Sequence, residues 1–165
     1  MAKRNDLEIT RVFDAPRKVV FKVWSEAKHL AQWWGPKGSD IEVKTFEFRP
    51  GGIFHYGMSF GGGKMWGKFV YREIISPEKI VFASSFADEE GNSIRTAFID
   101  PWPLEILNTV TFTESGGKTI LTIKGQPINA TEEEYNKFEE MQQSMQQGFG
   151  GTFDQLAEYL QKINE

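Results

Sequence analysis

The segment TEEEYNKFEEMQQSMQQGFGGTFDQLAEYLQKI, residues 131–163, predicts the long amphipathic helix on which the fold depends. Thr131 and Glu134 have the spacing of a capping box, in which each side chain bonds the other residue's backbone N–H, so we expect the helix to begin there. Beyond them, apolar side chains recur at mostly three- and four-residue steps and therefore share one face. These apolar residues are Tyr135, Phe138, Met141, Met145, Phe149, Leu156, Leu160 and Ile163.

Three glycines interrupt this helix at positions 148, 150 and 151. Glycine in a helix interior costs about 1 kcal/mol relative to alanine. We therefore expect either a kink in the helix or a close approach to the sheet at this point.

Most of the remaining chain has the patterning of β-strands. Residues 7–13 alternate apolar and polar side chains, and two short helices then follow before Gly35 and Pro36 end the second. Six further strands are predicted at residues 41–48, 53–60, 65–75, 79–86, 107–114 and 119–124, between turns rich in glycine and proline. The polar segment 88–103 is predicted to be a long loop and a candidate lid, with a short strand near 95–99.

This order of elements predicts an α+β fold. A curved antiparallel sheet of about six to seven strands would wrap around the C-terminal helix and bury the apolar face of that helix. The chain of 165 residues has the length of one ordinary domain, so we expect a single domain over residues 1–165.

Composition excludes several classes of function. A net charge of −4 with interspersed acids and bases argues against nucleic acid as a partner. No apolar run approaches the ~20 residues of a spanning helix, which argues against membrane insertion, and the charged N-terminus predicts a cytoplasmic protein. The absence of cysteine excludes disulfides and thiolate metal sites.

Two adjacent tryptophans, Trp33 and Trp34, stand immediately before the Gly-Pro stop. Neighbouring positions on a helix point about 100° apart, so the two indoles should not face the same way. One interpretation is that one or both of them are core residues that close the end of the sheet, and the other places one indole at the mouth of a cavity.

Catalytic and metal-binding signals are sparse. Glu73 alternates onto the same face as Phe69 and Tyr71, where an unpaired carboxylate would have a raised pKa and could act as a base. The alternative is a strand-end residue that reaches solvent or pairs with an arginine. His29 and His55 lack companion ligands at metal-binding spacing, so no metal site is predicted. Ser84 and Ser85 are interpreted as ordinary strand residues because no nucleophile motif surrounds them.

Five motifs in order along the chain resemble the family of heat-shock-protein-90 ATPase activator homologues, in the START-like (SRPBCC, helix-grip) superfamily that includes the birch-pollen allergen. The motifs are WWGP (33–36), FRPGG (48–52), YREIISPEKIVF (71–82), WPLEILNTVTFTE (102–114) and SMQQGFGGTFDQL (144–156). The resemblance covers nearly the whole chain. It departs at Phe149, where other members often have tryptophan.

The resemblance implies a hydrophobic cavity between sheet and long helix, and hence a small hydrophobic or amphipathic ligand, without a cofactor. The candidate ligand-binding residues are Trp33, Trp34, Phe54, Tyr56, Met58, Met65, Phe69, Tyr71, Phe82, Phe86, Trp102, Phe112, Met141, Met145 and Phe149. Two alternatives stay open: a cyclase- or hydrolase-like enzyme using Glu73 or a tyrosine, and a stress-related or chaperone-associated interaction protein with an unidentified protein partner.

Overall fold

A computed structural model describes residues 6–96 and 99–163, except for the side chain of Phe60. Its strands are β1 (Leu7–Phe13), β2 (Asp40–Phe46), β3 (Ile53–Phe60), β4 (Gly63–Ile75), β5 (Lys79–Ala87), β6 (Ser93–Ile94), β7 (Glu105–Ser115) and β8 (Lys118–Ile128). Its helices are α1 (Arg17–Ser25), α2 (Ala27–Trp33), α3 (Glu132–Glu140) and α4 (Gln142–Ile163). The predicted short strand near 95–99 falls partly outside the described residues, and a two-residue strand lies just before it.

All the strands belong to one antiparallel sheet, in the order β1-β8-β7-β5-β4-β3-β2. The short strand β6 pairs with Phe86 and Ala87 of β5, beyond the last residue of β5 that pairs with β7. The strands β6 and β7 therefore lie along the same side of β5. The α+β helix-grip prediction is confirmed, and the described residues contain eight strands rather than six or seven because the two-residue strand β6 is added to the seven predicted strands.

Two β-bulges bend the sheet. The register between β2 and β3 shifts between Val43 and Thr45, and the register between β4 and β5 shifts between Tyr71 and Glu73. A bulge adds one residue to one strand, which increases the local twist and redirects the side chains beyond it. The sheet therefore curves toward the helices. If the inward–outward alternation of side chains is extended across a bulge, the residues beyond the bulge are assigned to the wrong face of the sheet.

The C-terminal helical region is divided into two helices rather than one. The capping box is confirmed: Glu134 N–H donates to Thr131 Oγ1 at 3.1 Å, and Thr131 N–H donates to Glu134 Oε1 at 2.9 Å. The break falls at Met141, whereas the three glycines lie within the continuous helix α4. The predicted kink at the glycines is therefore wrong.

Only the second half of α4 is packed into the core. Its buried residues are Thr152, Phe153, Leu156 and Leu160, and none of residues 142–151 is buried. A Cβ atom at Gly148, Gly150 or Gly151 would meet no atom within 4 Å, so the predicted close approach to the sheet is also wrong. Gly148 lines a cleft beneath the first half of the helix, whereas Gly150 and Gly151 do not.

The two helices α1 and α2 close one end of the core. Trp24 of α1 packs edge-on against Trp33 of α2 and Phe112 of β7, with ring centroids 4.8 and 6.1 Å apart. Phe153 of α4 meets Phe13 of β1 at 5.9 Å. None of the helices within residues 6–96 and 99–163 combines the length and apolar composition needed to cross a bilayer.

Candidate functional site

An open cleft lies between the inner face of the sheet and the first half of α4. Its volume is about 410 Å³. The lining residues are Trp34, Gly35, Pro36, Tyr56, Met58, Phe86, Met145, Gly148, Phe149 and Thr152. The exposed residues Pro36 and Gly148 lie at its solvent side, and the walls consist mainly of aromatic and methionine side chains.

A smaller, half-open recess of about 180 Å³, called the inner cavity, adjoins this cleft. Tyr56, Met58 and Phe86 line both spaces. The inner cavity lies beside β5, just beyond the last residue of β5 that pairs with β7. Trp102, Pro103 and Leu104, which precede β7 in the chain, form part of its wall. It is therefore a gap in the strand pairing that a loop covers.

The two tryptophans of the WWGP segment have different roles. Trp33 is 1 % exposed, and its indole N–H donates to Val23 O at 3.0 Å, so it belongs to the core. Trp34 lines the cleft, with its ring edge-on to Phe69 at 5.1 Å and facing Phe149 at 6.4 Å. The reading that places one indole at the cavity is correct for Trp34.

Helix α4 is attached to the backbone of this segment. Thr152 Oγ1 donates to Gly35 O at 3.0 Å, and Gln155 Nε2 donates to the same carbonyl at 2.8 Å and to Trp33 O at 3.3 Å. These bonds satisfy carbonyls that the end of α2 leaves without helical partners. They fix the position of Trp34 relative to Phe149, across the cleft opening.

Two buried tyrosines face inward. Burial raises the pKa of Tyr56 to about 12, and the indole N–H of Trp34, which faces the hydroxyl, opposes part of that rise. Burial also raises the pKa of Tyr71, further than that of Tyr56, and repulsion from Tyr56 adds to it. Both phenols therefore stay protonated at neutral pH, so they can donate hydrogen bonds.

A polar pair lies at the floor of the inner cavity. Asn108 is 5 % exposed, and its Nδ2 donates to Ser84 Oγ at 2.9 Å and to Ile106 O at 3.1 Å. Ser84 lines the inner cavity, whereas the Ser85 hydroxyl pairs with that of Ser93 at 3.0 Å. Both serines lie in β5 and line the inner cavity.

Seven of the fifteen candidate ligand-binding residues line one or both spaces. These residues are Trp34, Tyr56, Met58, Phe86, Trp102, Met145 and Phe149. They come from five parts of the chain that meet only when α4 lies across the sheet.

Another six of the candidates are core residues and line neither space. They are Trp33, Phe54, Phe69, Tyr71, Phe82 and Phe112, each at most 2 % exposed. The rings of Phe69 and Phe82 stack at 4.0 Å, so the deeper part of the inner face is filled by its own aromatic side chains.

Met65 and Met141 also lie outside the cleft. Met65 lines a separate depression together with Trp66 and Ile94, and Met141 lies at the turn between α3 and α4. Met65 lies opposite Met58 on the neighbouring strand but lines this depression rather than the cleft.

Several lining residues were missed by sequence reasoning. They are Gly35, Pro36, Gly67, Ser84, Ser85, Pro103, Leu104, Ile106, Gly148 and Thr152. The interruption of the apolar face by Gly148 was a usable signal, because a glycine at a position of the stripe leaves a gap in the wall. The serines carried no such signal.

Glu73 is not on the inner face. The bulge after Tyr71 shifts the alternation, and Glu73 is exposed and forms an ion pair with Lys79, with its Oε1 3.0 Å from Nζ. The alternative reading of an ion-paired strand-end residue is correct, although its partner is lysine. Among the described residues that line the two spaces there is no carboxylate.

The two histidines have separate structural contacts. His29 Nδ1 lies 2.5 Å from the Tyr159 hydroxyl and joins α2 to α4, and burial lowers its pKa. His55 is 4 % exposed, with Nε2 2.9 Å from Asp88 O. Within residues 6–96 and 99–163, no three acidic or histidine side chains converge in a way that could hold a metal ion.

The motifs, the sheet order and the position of α4 agree with a family model described as Activator of Hsp90 ATPase homolog 1-like protein, which matches residues 14–161. The chain belongs to this family. No curated protein matches the sequence.

Solved structures of relatives support the fold of this family member. A crystal structure of a protein from Mycobacterium smegmatis is 28% identical and has a TM-score of 0.76, with 94% of this chain and 92% of that one covered. A solution structure from Arthrobacter aurescens is 29% identical with a TM-score of 0.78, covering 94% and 85%. A protein from Nitrosomonas europaea, at 20% identity and a TM-score of 0.77 over 99% of both chains, shares the fold.

Proposed function

We propose that this protein binds a small, largely apolar molecule in the cleft between the sheet and α4. The cleft of about 410 Å³ beneath Gly148 is the observation that carries the proposal. It is walled by Trp34, Met145 and Phe149, whose flat or flexible apolar surfaces suit a hydrophobic guest.

Desolvation would supply most of the affinity. Removing apolar surface from water is worth about 25 cal/mol per Å², so a guest that buries roughly 300 Å² gains about 7 kcal/mol before the costs of association. The cleft is already open, because the first half of α4 carries no buried side chain and the glycine at position 148 occupies no space there. Little rearrangement is then needed for entry.

A filling variant with a matched control tests this function. Gly148→Leu places a side chain in the cleft, where a Cβ meets no atom within 4 Å, whereas Gly151→Leu makes the same change in the same helix away from the lining. We expect the uncharged fluorophore N-phenyl-1-naphthylamine to bind the wild type and Gly151→Leu, and to bind Gly148→Leu at least about 10-fold more weakly. Equal binding to both variants, or no binding to the wild type, would contradict the proposal.

Native mass spectrometry of protein purified from its own cells gives a complementary test. A retained small molecule of constant mass, lost from the Gly148→Leu variant and kept by Gly151→Leu, is the expected result. A mass that persists in the filled variant would place that molecule elsewhere on the protein.

A further inference from the structure

The two connected spaces differ in polarity. The outer cleft presents apolar groups, and its Thr152 hydroxyl is already engaged with Gly35 O. The inner cavity ends at Ser84, Ser85 and the backbone near Ile106. A molecule that spans both spaces would meet an apolar surface at one end and hydroxyl groups at the other.

Two side chains beside these spaces carry hydrogen-bond donors. Ser84 Oγ already accepts the Asn108 amide at 2.9 Å, and its own hydrogen has only a long contact of 3.5 Å with Ile106 O. The buried Nε1 of Trp34 faces the Tyr56 hydroxyl but forms no hydrogen bond of ordinary geometry. A buried donor whose own hydrogen bond is long or absent gains from an acceptor atom on a guest.

The buried amide of Asn108 determines the orientation of the Ser84 hydroxyl. Because Nδ2 of Asn108 occupies one lone pair of Ser84 Oγ, the hydroxyl hydrogen points away from the amide. Asn108 lies on the inner face beside Val110 and Phe112, where a polar side chain is tolerated only if it has a hydrogen-bonding partner. The pair is thus a positioned donor at the cavity floor.

Charge is missing from the lining. None of the described residues that line the cleft or the inner cavity is acidic or basic. An ionised group buried there would lose its hydration without gaining a counter-charge, which is strongly unfavourable. The lining therefore selects against carboxylates and ammonium ions.

We infer that the guest is an uncharged amphipathic molecule that places an acceptor oxygen, such as a carbonyl, at Ser84 and its apolar body beneath Gly148. This inference rests on the proposed function and adds the class and the orientation of the ligand. The inner cavity of about 180 Å³ exceeds the roughly 150 Å³ in which a buried apolar site holds benzene, so it can take a head group of that size.

Four probes with ten-carbon chains separate the contributions of chain and head group: 2-decanone, 1-bromodecane, decanoate and decylammonium, each measured at pH 8 by displacement of N-phenyl-1-naphthylamine. We expect 2-decanone to bind most tightly and both ions to bind at least about 10-fold more weakly. Ser84→Ala should weaken 2-decanone about 2- to 10-fold, the value of one neutral hydrogen bond, and leave 1-bromodecane unchanged.

Ser25→Ala is the matched control, because its hydroxyl donates to Lys22 O and Ser25 lines neither space. Unchanged binding of 1-bromodecane shows that Ser84→Ala is folded. If 1-bromodecane or an ion matches 2-decanone, or if Ser84→Ala weakens 2-decanone no more than 1-bromodecane, the inference on ligand class is overturned while ligand binding stands. If no probe displaces the fluorophore and the fluorophore itself does not bind, the proposed function fails as well.

Discussion

The ring of Tyr56 lies directly over Gly67, the residue opposite it on the neighbouring strand. A Cβ at Gly67 would stand 2.5 Å from the tyrosine hydroxyl oxygen and 2.6 Å from Cζ, closer than any real contact. Glycine at this position therefore allows the Tyr56 side chain to lie flat against the sheet, where it lines both the cleft and the inner cavity.

Gly67→Ala is expected to destabilise the protein by about 1–3 kcal/mol, because the added methyl group must push a buried ring off its position. Gly125→Ala is the control, since a Cβ there would meet Asn108 Oδ1 at an ordinary 3.4 Å. Urea unfolding measures both variants. A Gly67→Ala variant as stable as the control would show that Tyr56 is not held in this way.

Alanine at Gly150 or Gly151 is expected to stabilise the protein by about 0.5–1 kcal/mol. Both lie in the interior of α4, and a Cβ at either meets nothing within 4 Å, so the gain in helix propensity is not offset by a clash. Gly35→Ala should do the opposite, because Gly35 has a φ of 99° and a Cβ there would lie 2.9 Å from Ile41 Cδ1. Thermal unfolding of the three variants distinguishes these signs.

The adjacent tryptophans should separate stability from binding. Trp33→Phe removes a buried ring system and leaves Val23 O without its donor, at an expected cost of about 2 kcal/mol. Trp34→Phe removes an N–H that faces the Tyr56 hydroxyl without forming a hydrogen bond of ordinary geometry, so its cost in unfolding free energy should stay below about 1 kcal/mol. The same two variants should show the reverse order in the loss of fluorophore affinity.

Replacing the helix cap tests how strongly α3 is held. Thr131→Ala removes the acceptor of the Glu134 N–H and should cost about 1 kcal/mol, whereas Thr131→Ser keeps the hydroxyl and should cost much less. The loss should also loosen the Arg95 ion pair with Glu134, whose Nη2 to Oε2 distance is 3.0 Å. Equal stability of the two variants would mean that the cap contributes little.

The His29 contact predicts a pH dependence of stability. Burial lowers the pKa of His29 below its usual 6.5, and the attraction of Glu26 offsets only part of this. The unfolded chain then binds more protons than the folded one between the folded pKa and 6.5, so unfolding free energy falls as pH decreases through that window. Denaturant titrations from pH 8 to 5 should show a shallower decline for His29→Gln than for the wild type. Parallel curves would exclude His29 as the cause.

The features that depend on neighbouring residues in the chain were predictable. The capping box at Thr131, the glycine and proline turns, and the alternation in residues 53–60 each reflect a preference that acts within a few residues. Strand β8 extends past its predicted end. Gly125 and Pro127 are typical turn residues when only their neighbours in the chain are considered, but in the fold they pair with β7.

Which residues form the site was decided by tertiary structure. A bulge moved Glu73 to the surface, Thr152 and Gln155 aligned α4 over Trp34, and Asn108 reached Ser84 from a strand 24 residues away. An inward side chain that fills the core and one that lines a cavity have the same periodicity in the sequence. They differ in the distance between the sheet and the element packed opposite, which periodicity does not reveal. The sequence alone therefore determined the elements and their inner faces, and the distance between α4 and the sheet determined where space remains for a ligand.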